Sequence, residues 1–352
     1  MRVPLVLITG TDPHAMSAAM VGLQFDMPHA VAVRHHLDPE ARTLERVISD
    51  VTGIVEREVI ELEHACVPCA LREDVLPTVE RVARDPRWRT VIAHLPVGAA
   101  ATQVCAVLAT DTRLARYVRV GSVIAALDGP RLVEDLLGDA LLADRGLHSS
   151  PEDRRGVGEV TASMIEYADV VVLSGRAGTA GTALVRALAR PDAELVTDPS
   201  AVDTGQVTGQ LHQHRRTRAW VDPTLETPAS EPDPGAWVQE FASPHPFDPA
   251  LLLDGLDALG GGAHRSRGSF WLPTRPHQLL VWDGAGGQLS IGDGGAWGVR
   301  PPATRVRFVG VGVPPATLGD AFGACLARDE WTAGAAGDDG FEPWLGPIRG
   351  VA

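Results

Sequence analysis

Over the first 200 residues, short apolar runs alternate with segments that have the periodicity of helices. The runs at 3–8 and 169–173 are typical of strands buried on both faces, and 14–23 and 99–108 are typical of helices. Strands that alternate with helices form a mostly parallel sheet, because each helix is a right-handed crossover that covers one face. The pattern therefore predicts an α/β domain over residues 1–205.

Between residues 30 and 62 the pattern is less regular. We predict a strand at 30–33 and a helix over 39–51. From 54 to 62, Ile and Val alternate with Glu and Arg, which predicts a strand with one wet face.

The composition changes after residue 205. Residues 206–236 are largely polar, and 223–234 hold four prolines and almost no apolar side chains, as is typical of an exposed linker. Apolar runs return from residue 237, with strands predicted at 267–272, 279–282 and 305–311 and helices at 249–259 and 316–328. They predict a small α+β domain over 237–352.

The basic residues are unusual, because all 31 are arginine and the sequence holds no lysine. Lysine grips phosphate in P-loops and forms Schiff bases, so neither chemistry is available here. The formal net charge of −14 argues against direct bulk binding of nucleic acid and suits a protein partner.

The four cysteines are too few for a secreted disulfide framework. The apolar run at the start of the sequence is shorter than that of a signal peptide, and no run reaches the ~18 apolar residues of a membrane span. We therefore expect a cytoplasmic protein without a membrane partner.

The first predicted strand leads into a helix through a sequence that resembles a degraded P-loop. In the spacing G-x-x-x-x-G-K-[ST], Gly10 and Ser17 match, whereas Ala15 and Met16 replace the second Gly and the Lys. Asp12 adds a negative charge where phosphate would lie. Gly10 and Ser17 are thus a vestigial nucleotide site, and Ser17 is expected to cap its helix.

Candidate metal donors lie at the end of the 54–62 strand and after the 30–33 strand. Cys66 and Cys69 form a C-x-x-C pair, which binds zinc through two thiolates, acts as a redox pair, or packs as buried thiols. His35, His36 and His64 are candidates for the remaining zinc ligands. We assign no catalytic residue.

Four stretches together resemble the CobW-type GTPases, a metallochaperone branch of the P-loop proteins. They are C-V-P-C-A-L-R-E-D at 66–74, I-E-Y-A-D-V-V-V-L at 165–173, H-P-F-D-P at 245–249 and R-G-S-F-W-L-P-T-R-P at 267–276. The resemblance implies a P-loop-type domain followed by a CobW C-terminal domain, and it strengthens the assignment of zinc to Cys66 and Cys69. Pro68 stands where the family has its middle cysteine.

The family's nucleotide motifs are altered at two further places. Ser174–Ala177 replace the guanine-reading N-K-x-D, and Leu95–Gly98 follow His94 without the acid of the magnesium motif. With the altered loop at Gly10, three motifs have lost their working groups, which predicts a pseudo-GTPase that does not bind GTP.

Three functions follow from this resemblance. The leading one is a non-hydrolysing zinc-binding adaptor in zinc homeostasis or zinc starvation, which recruits a hibernation factor to ribosomes that carry zinc-independent proteins. The alternatives are a GTP-dependent metallochaperone that delivers zinc to a client protein, and an interaction module without metal.

Overall fold

A computed structural model describes residues 2–64, 66–209, 212–225, 234–328 and 339–348 of the protein. The chain divides into two compact units, Met1–Asp135 with Ala140–Val221, and Leu136–Asp139 with Asp222–Ala352. Among the described residues, no helix is both long and apolar enough to cross a membrane.

The first unit is built mainly from strands and helices in alternation. In chain order its elements are β1 (Val3–Thr9), α1 (Pro13–Asp26), β2 (Ala30–Asp38), β3 (Thr43–Asp50), β4 (Gly53–Glu61), α2 (Val67–Ala70), a π-helical segment (Leu71–Val75), α3 (Leu76–Ala83), β5 (Thr90–His94), α4 (Ala101–Thr110), a 3-10 turn (Leu114–Arg116), β6 (Val118–Asp128), α5 (Leu132–Leu137), α6 (Val157–Tyr167), β7 (Val170–Ser174), α7 (Thr179–Leu188), β8 (Glu194–Val196), α8 (Thr204–Thr208) and α9 (His214–Val221).

Eight described strands form one sheet in the order β4-β3-β2-β5-β1-β6-β7-β8. The six neighbouring strands β2, β5, β1, β6, β7 and β8 pair in parallel. At the other edge, β3 pairs antiparallel with both β2 and β4. Successive residues of β1 enter different cores, with Leu5 and Leu7 on one face and Val6 and Ile8 on the other. The predicted α/β class is confirmed, because both faces of the central strands are covered.

The predicted helix over 39–51 is wrong, because Thr43–Asp50 is strand β3. Its inward face carries Leu44, Arg46 and Ile48, all buried. A buried arginine hides the alternation of polar and apolar residues that would have predicted a strand.

The predicted linker is shorter than the composition suggests, because the first unit continues to Val221. His212 is buried and its Nδ1 donates to the Asp169 carboxylate over 2.9 Å. Arg190 bonds the same carboxylate at 2.7 Å and donates to Thr217 of α9 at 2.6 Å. Burial opposes ionisation of Asp169, but the bonds from His212 and Arg190 hold the pKa of its carboxyl below the usual range. His212 directly, and Thr217 through Arg190, are thus tied to a buried acid.

The second unit contains β9 (Trp237–Ser243), α10 (Pro249–Gly260), β10 (Arg265–Phe270), β11 (Gln278–Ala285), β12 (Gln288–Ala296), β13 (Thr304–Gly310), α11 (Leu318–Ala324) and α12 (Glu342–Leu345). Its described strands form an antiparallel sheet in the order β12-β11-β10-β13-β9. Phe270, Trp282 and Phe308 are fully buried in its core. The sequence analysis missed β12, whose three glycines weaken the strand pattern.

Replacing the buried Arg190 tests whether the Asp169 cluster holds the first unit together. Arg190→Met leaves one oxygen of a buried carboxylate without its cation, and we expect the free energy of unfolding to fall by about 3 kcal/mol. Arg216→Met is the matched control, because Arg216 forms an exposed ion pair with Asp192 at 3.0 Å. Its expected effect is below about 1 kcal/mol in the same urea titration. Equal effects would contradict the role given to the cluster.

Candidate functional site

The loop between β1 and α1 satisfies its own helix terminus. Asp12 is the N-cap of α1, and its carboxylate accepts the amide of Ala15 at 2.6 Å. In a phosphate-binding loop such amides point at the ligand. Here the Asp12 carboxylate accepts the hydrogen bond of the Ala15 amide, and Pro13 has no N–H to donate. The cap is therefore Asp12 and not, as the sequence predicts, Ser17, which lies half-buried inside the helix.

Packing explains the residues that resemble a P-loop. A Cβ built on Gly10 would lie 2.4 Å from the carbonyl oxygen of Ala126 and 2.8 Å from Cγ of Met16. Met16 is fully buried in the core that includes Ile8 and Ile124. Gly10 is thus required by close packing, and the side chain at the lysine position points into the protein core.

Two carboxylates make this edge of the sheet unfavourable for phosphate. Asp128 ends β6, next to β1, and its pKa is raised by burial, by Asp12 and by Asp135. A charge that raises the pKa of a neighbouring carboxyl would also repel a phosphate there.

The ends of β5 and β7 lack the groups that handle magnesium and guanine. His94 ends β5, is buried, and donates from Nδ1 to the carbonyl of Leu95 at 3.0 Å. Its Nε2 has no hydrogen-bond partner among the described residues. At the end of β7, Gly175 has φ +78° and Arg176 is exposed, and Ala177 stands at the position of the family's guanine-reading Asp.

Cys66 and Cys69 stand at the start of a helical run that continues without a break from residue 67 to 83. Cys66 is the N-cap, and its Sγ accepts the amide of Cys69 at 3.4 Å. Both thiols are free and half-buried. The hydrogen bond with Cys66, followed by burial, raises the pKa of the Cys69 thiol. Two soft donors thus share one helix turn.

Asp74 is the polar residue that anchors this helical run to the sheet. It lies in the π-helical segment, where it bonds Nε2 of His35 at 2.8 Å and also bonds Arg46. Arg46 further bonds Glu58 and, at 2.7 Å, Glu56 on the edge strand β4. Burial by itself would raise the pKa of the Asp74 carboxyl. The interactions with His35 and Arg46 are stronger than this effect and hold that pKa below its usual range.

The predicted histidine ligands are not gathered around the thiols. His35 lies in β2 just beyond Arg34, the last residue of that strand to pair with β5, and Asp74 engages its buried ring. Burial lowers the pKa of His35, against the hydrogen bond with Asp74 that raises it. His36 is exposed on the opposite face of β2, and His64 is exposed before the helix. Among the residues that the structure describes, no group of three or more His, Cys, Asp or Glu side chains is arranged to hold a metal ion.

The sequence analysis gave Asp74 no role, although Asp74 closes the motif C-V-P-C-A-L-R-E-D. One signal was available, since Asp74 lies with Val75 and Val79 on the inward face of this helix, which is otherwise mostly apolar. An acid on such a face needs a buried cationic or hydrogen-bonding partner.

Two domain families match the chain. Residues 41–190 match the CobW/HypB/UreG nucleotide-binding domain, and residues 238–326 match the cobalamin synthesis protein cobW C-terminal domain. The zinc chaperone of Mycobacterium tuberculosis is 28% identical over 322 residues, which cover 88% of this chain and 77% of that protein.

A second relative and a solved structure are more distant. The zinc-regulated GTPase metalloprotein activator 1 of Dictyostelium discoideum is 22% identical over 268 residues, covering 68% of this chain and 54% of that protein. The crystal structure of the Zn(II)-bound YjiA GTPase from E. coli aligns over 92% of this chain and 99% of that chain, with 15% identity and a TM-score of 0.37.

The buried His94 predicts a specific loss of stability in acid. Burial lowers its pKa to about 4, well below the ~6.5 of an unfolded chain. The folded state therefore favours the neutral ring. This contribution is complete above pH ~6.5, and on the order of 3 kcal/mol is lost as the pH falls towards 4.

We expect His94→Asn, which keeps an N–H for the Leu95 carbonyl, to flatten the dependence of unfolding free energy on pH between 6.5 and 4. His36→Asn, which alters an exposed ring of the same sheet, should keep the wild-type slope. Urea titrations at four pH values measure both slopes. Parallel curves for His94→Asn and wild type would show that His94 does not carry the acid sensitivity.

Proposed function

Because the chain combines a CobW/HypB/UreG nucleotide-binding domain with a CobW C-terminal domain, we propose that it is a CobW-type zinc-handling protein that acts without hydrolysing GTP. In this proposal zinc is cargo or signal, held at Cys66 and Cys69. The names of the two relatives, a zinc chaperone and a zinc-regulated activator, support the connection with zinc.

The proposal that GTP is not used depends above all on the β1–α1 loop. Phosphoryl transfer needs a cradle of amides and a cation that neutralises the phosphates. In this loop the Asp12 carboxylate takes the Ala15 amide, and Met16 is buried where the cation would stand. The loop therefore supports an adaptor in preference to a GTP-dependent metallochaperone.

The proposed partner is a protein, because the formal charge of −14 favours a basic protein surface over nucleic acid. A ribosome-associated partner, such as the hibernation factor that the resemblance implies, stays a prediction within this proposal. Delivery of zinc to a client protein is the alternative of the same class.

Calorimetric titration of the protein with GTP and Mg²⁺ tests the nucleotide half of the proposal. We expect no binding tighter than millimolar. Met16→Lys should not restore affinity, because its side chain enters a closed core and Asp12 still holds the Ala15 amide. A micromolar dissociation constant for the wild-type protein would contradict the proposal and support a GTP-dependent chaperone.

Zinc titration with a chromophoric chelator tests the metal half. We expect about one Zn²⁺ per chain, with most of the affinity lost in Cys66→Ser or Cys69→Ser because a site with two thiolates fails without one. Cys105→Ser and Cys325→Ser are matched controls, since burial raises the pKa of these thiols to about 12 and about 11 and keeps them protonated. His35→Ala should lower stability more than zinc affinity, because the ring bonds Asp74.

Full zinc stoichiometry in a Cys66→Ser, Cys69→Ser double variant would place the metal elsewhere. The C-x-x-C pair would then be packed thiols, and an interaction module without metal would be favoured.

A further inference from the structure

A cavity of about 510 Å³ opens within the first unit beside Pro68, the residue that precedes Cys69. Its apolar lining comes from two helical segments that face each other: Pro68, Leu71, Leu76 and Pro77 from the run at 67–83, and Val107 and Leu114 from α4 and the 3-10 turn after it. We call this cavity the helix groove. Pro68 lines the helix groove and stands between Cys66 and Cys69 in the sequence, so the groove begins within about one helix turn of both cysteines.

The charged residues on the rim of the helix groove are already engaged within the chain. Glu80 pairs with Arg113 at 3.2 Å. Asp111 accepts the amides of Arg113 and Leu114 at 2.8 and 3.1 Å. Arg72 pairs with its neighbour Glu73 at 3.0 Å. The helix groove therefore offers an apolar floor without a free excess of either charge, which favours an apolar side chain over an ionic small molecule.

The thiol pair supplies half of what zinc requires. Zinc in proteins takes about four ligands in tetrahedral geometry. Within the described part of the chain, no third His, Cys, Asp or Glu joins Cys66 and Cys69 in a metal-holding group. A zinc ion on these thiols would keep two positions for donors from another molecule.

We propose that the helix groove seats an apolar side chain of a zinc-exchanging protein, whose own Cys or His donors complete the coordination of Zn²⁺ at Cys66 and Cys69. This inference rests on the proposed zinc function and adds the chemistry of the partner. The partner carries a bulky apolar residue next to a pair of soft donors. The helix groove binds the apolar residue, and the zinc ion on Cys66 and Cys69 binds the donors.

Transfer of the ion between the two proteins is then a ligand exchange without redox change. Each bond from Zn²⁺ to Cys66 or Cys69 breaks as a bond forms to a further ligand, which is another thiolate or imidazole of the partner or a water molecule. The released thiolate takes a proton from water, and the ion leaves with its charge of 2+ unchanged.

The test uses the full chain and a fluorescent synthetic peptide that has two leucines followed by two cysteines with two glycines between them. A second peptide carries serines in place of the leucines. With one equivalent of Zn²⁺, we expect fluorescence anisotropy to show at least tenfold tighter binding of the leucine peptide. Cys66→Ser with Cys69→Ser should abolish the zinc-dependent binding.

Two valines provide a matched pair of variants for the helix groove. Val107 lines the groove on α4 and Val133 lies on α5 away from it, and both are 36% exposed. Val107→Arg should remove the tenfold preference for the leucine peptide while zinc stoichiometry stays at the wild-type value. Val133→Arg should change neither.

The outcomes separate this inference from the proposed function. If wild-type protein binds zinc but both peptides equally well, or if Val107→Arg keeps the preference, the helix groove is not the seat while the zinc function stands. If zinc alone produces a dimer that excludes the peptide, a second copy supplies the donors, and the inference is wrong. If the protein binds no zinc, the proposed function itself fails.

Discussion

The buried carboxylate of Asp74 connects the parts of the first unit that matter for its chemistry. Through His35 and Arg46 it joins the helical run at 67–83 to β2 and β3, and Arg46 extends the network to Glu56 and Glu58 on the edge strand. A buried acid is tolerated only when it is well paired, so this network fixes where the helix lies. The two thiols stand at the first turn of that helix, and the helix groove runs along its flank.

The π-helical segment fits the same constraint. It places Asp74 within the run, and π-helical insertions widen a helix locally. The wider turn lets Asp74 face His35 and Arg46 while Leu71 and Val75 remain in the apolar core. One helix thereby contributes to a polar cluster, an apolar core and a half-buried thiol pair.

At the carboxyl end of β1 in the same sheet, the protein's own residues pack against and hydrogen-bond the loop that leads into α1. Gly10 packs against Ala126 and Met16, and Asp12 caps helix α1. Gly10 is closely packed by neighbouring residues, and the Asp12 carboxylate has a hydrogen-bond donor within the protein. The Ala15 amide and the Met16 side chain thus both have partners within the first unit.

The sequence alone determined the α/β class, most strands and helices, the separate second unit and the C-x-x-C pair, because apolar periodicity and local spacing are written in neighbouring residues. It did not determine strand β3, the partners of His35 or the place of His212. In each case a polar side chain is buried by a partner distant in sequence: Arg46 and His35 by Asp74, and His212 by Asp169. Only the tertiary structure decides such pairings, since a buried charge is stable only where the fold brings its counterpart within hydrogen-bond distance.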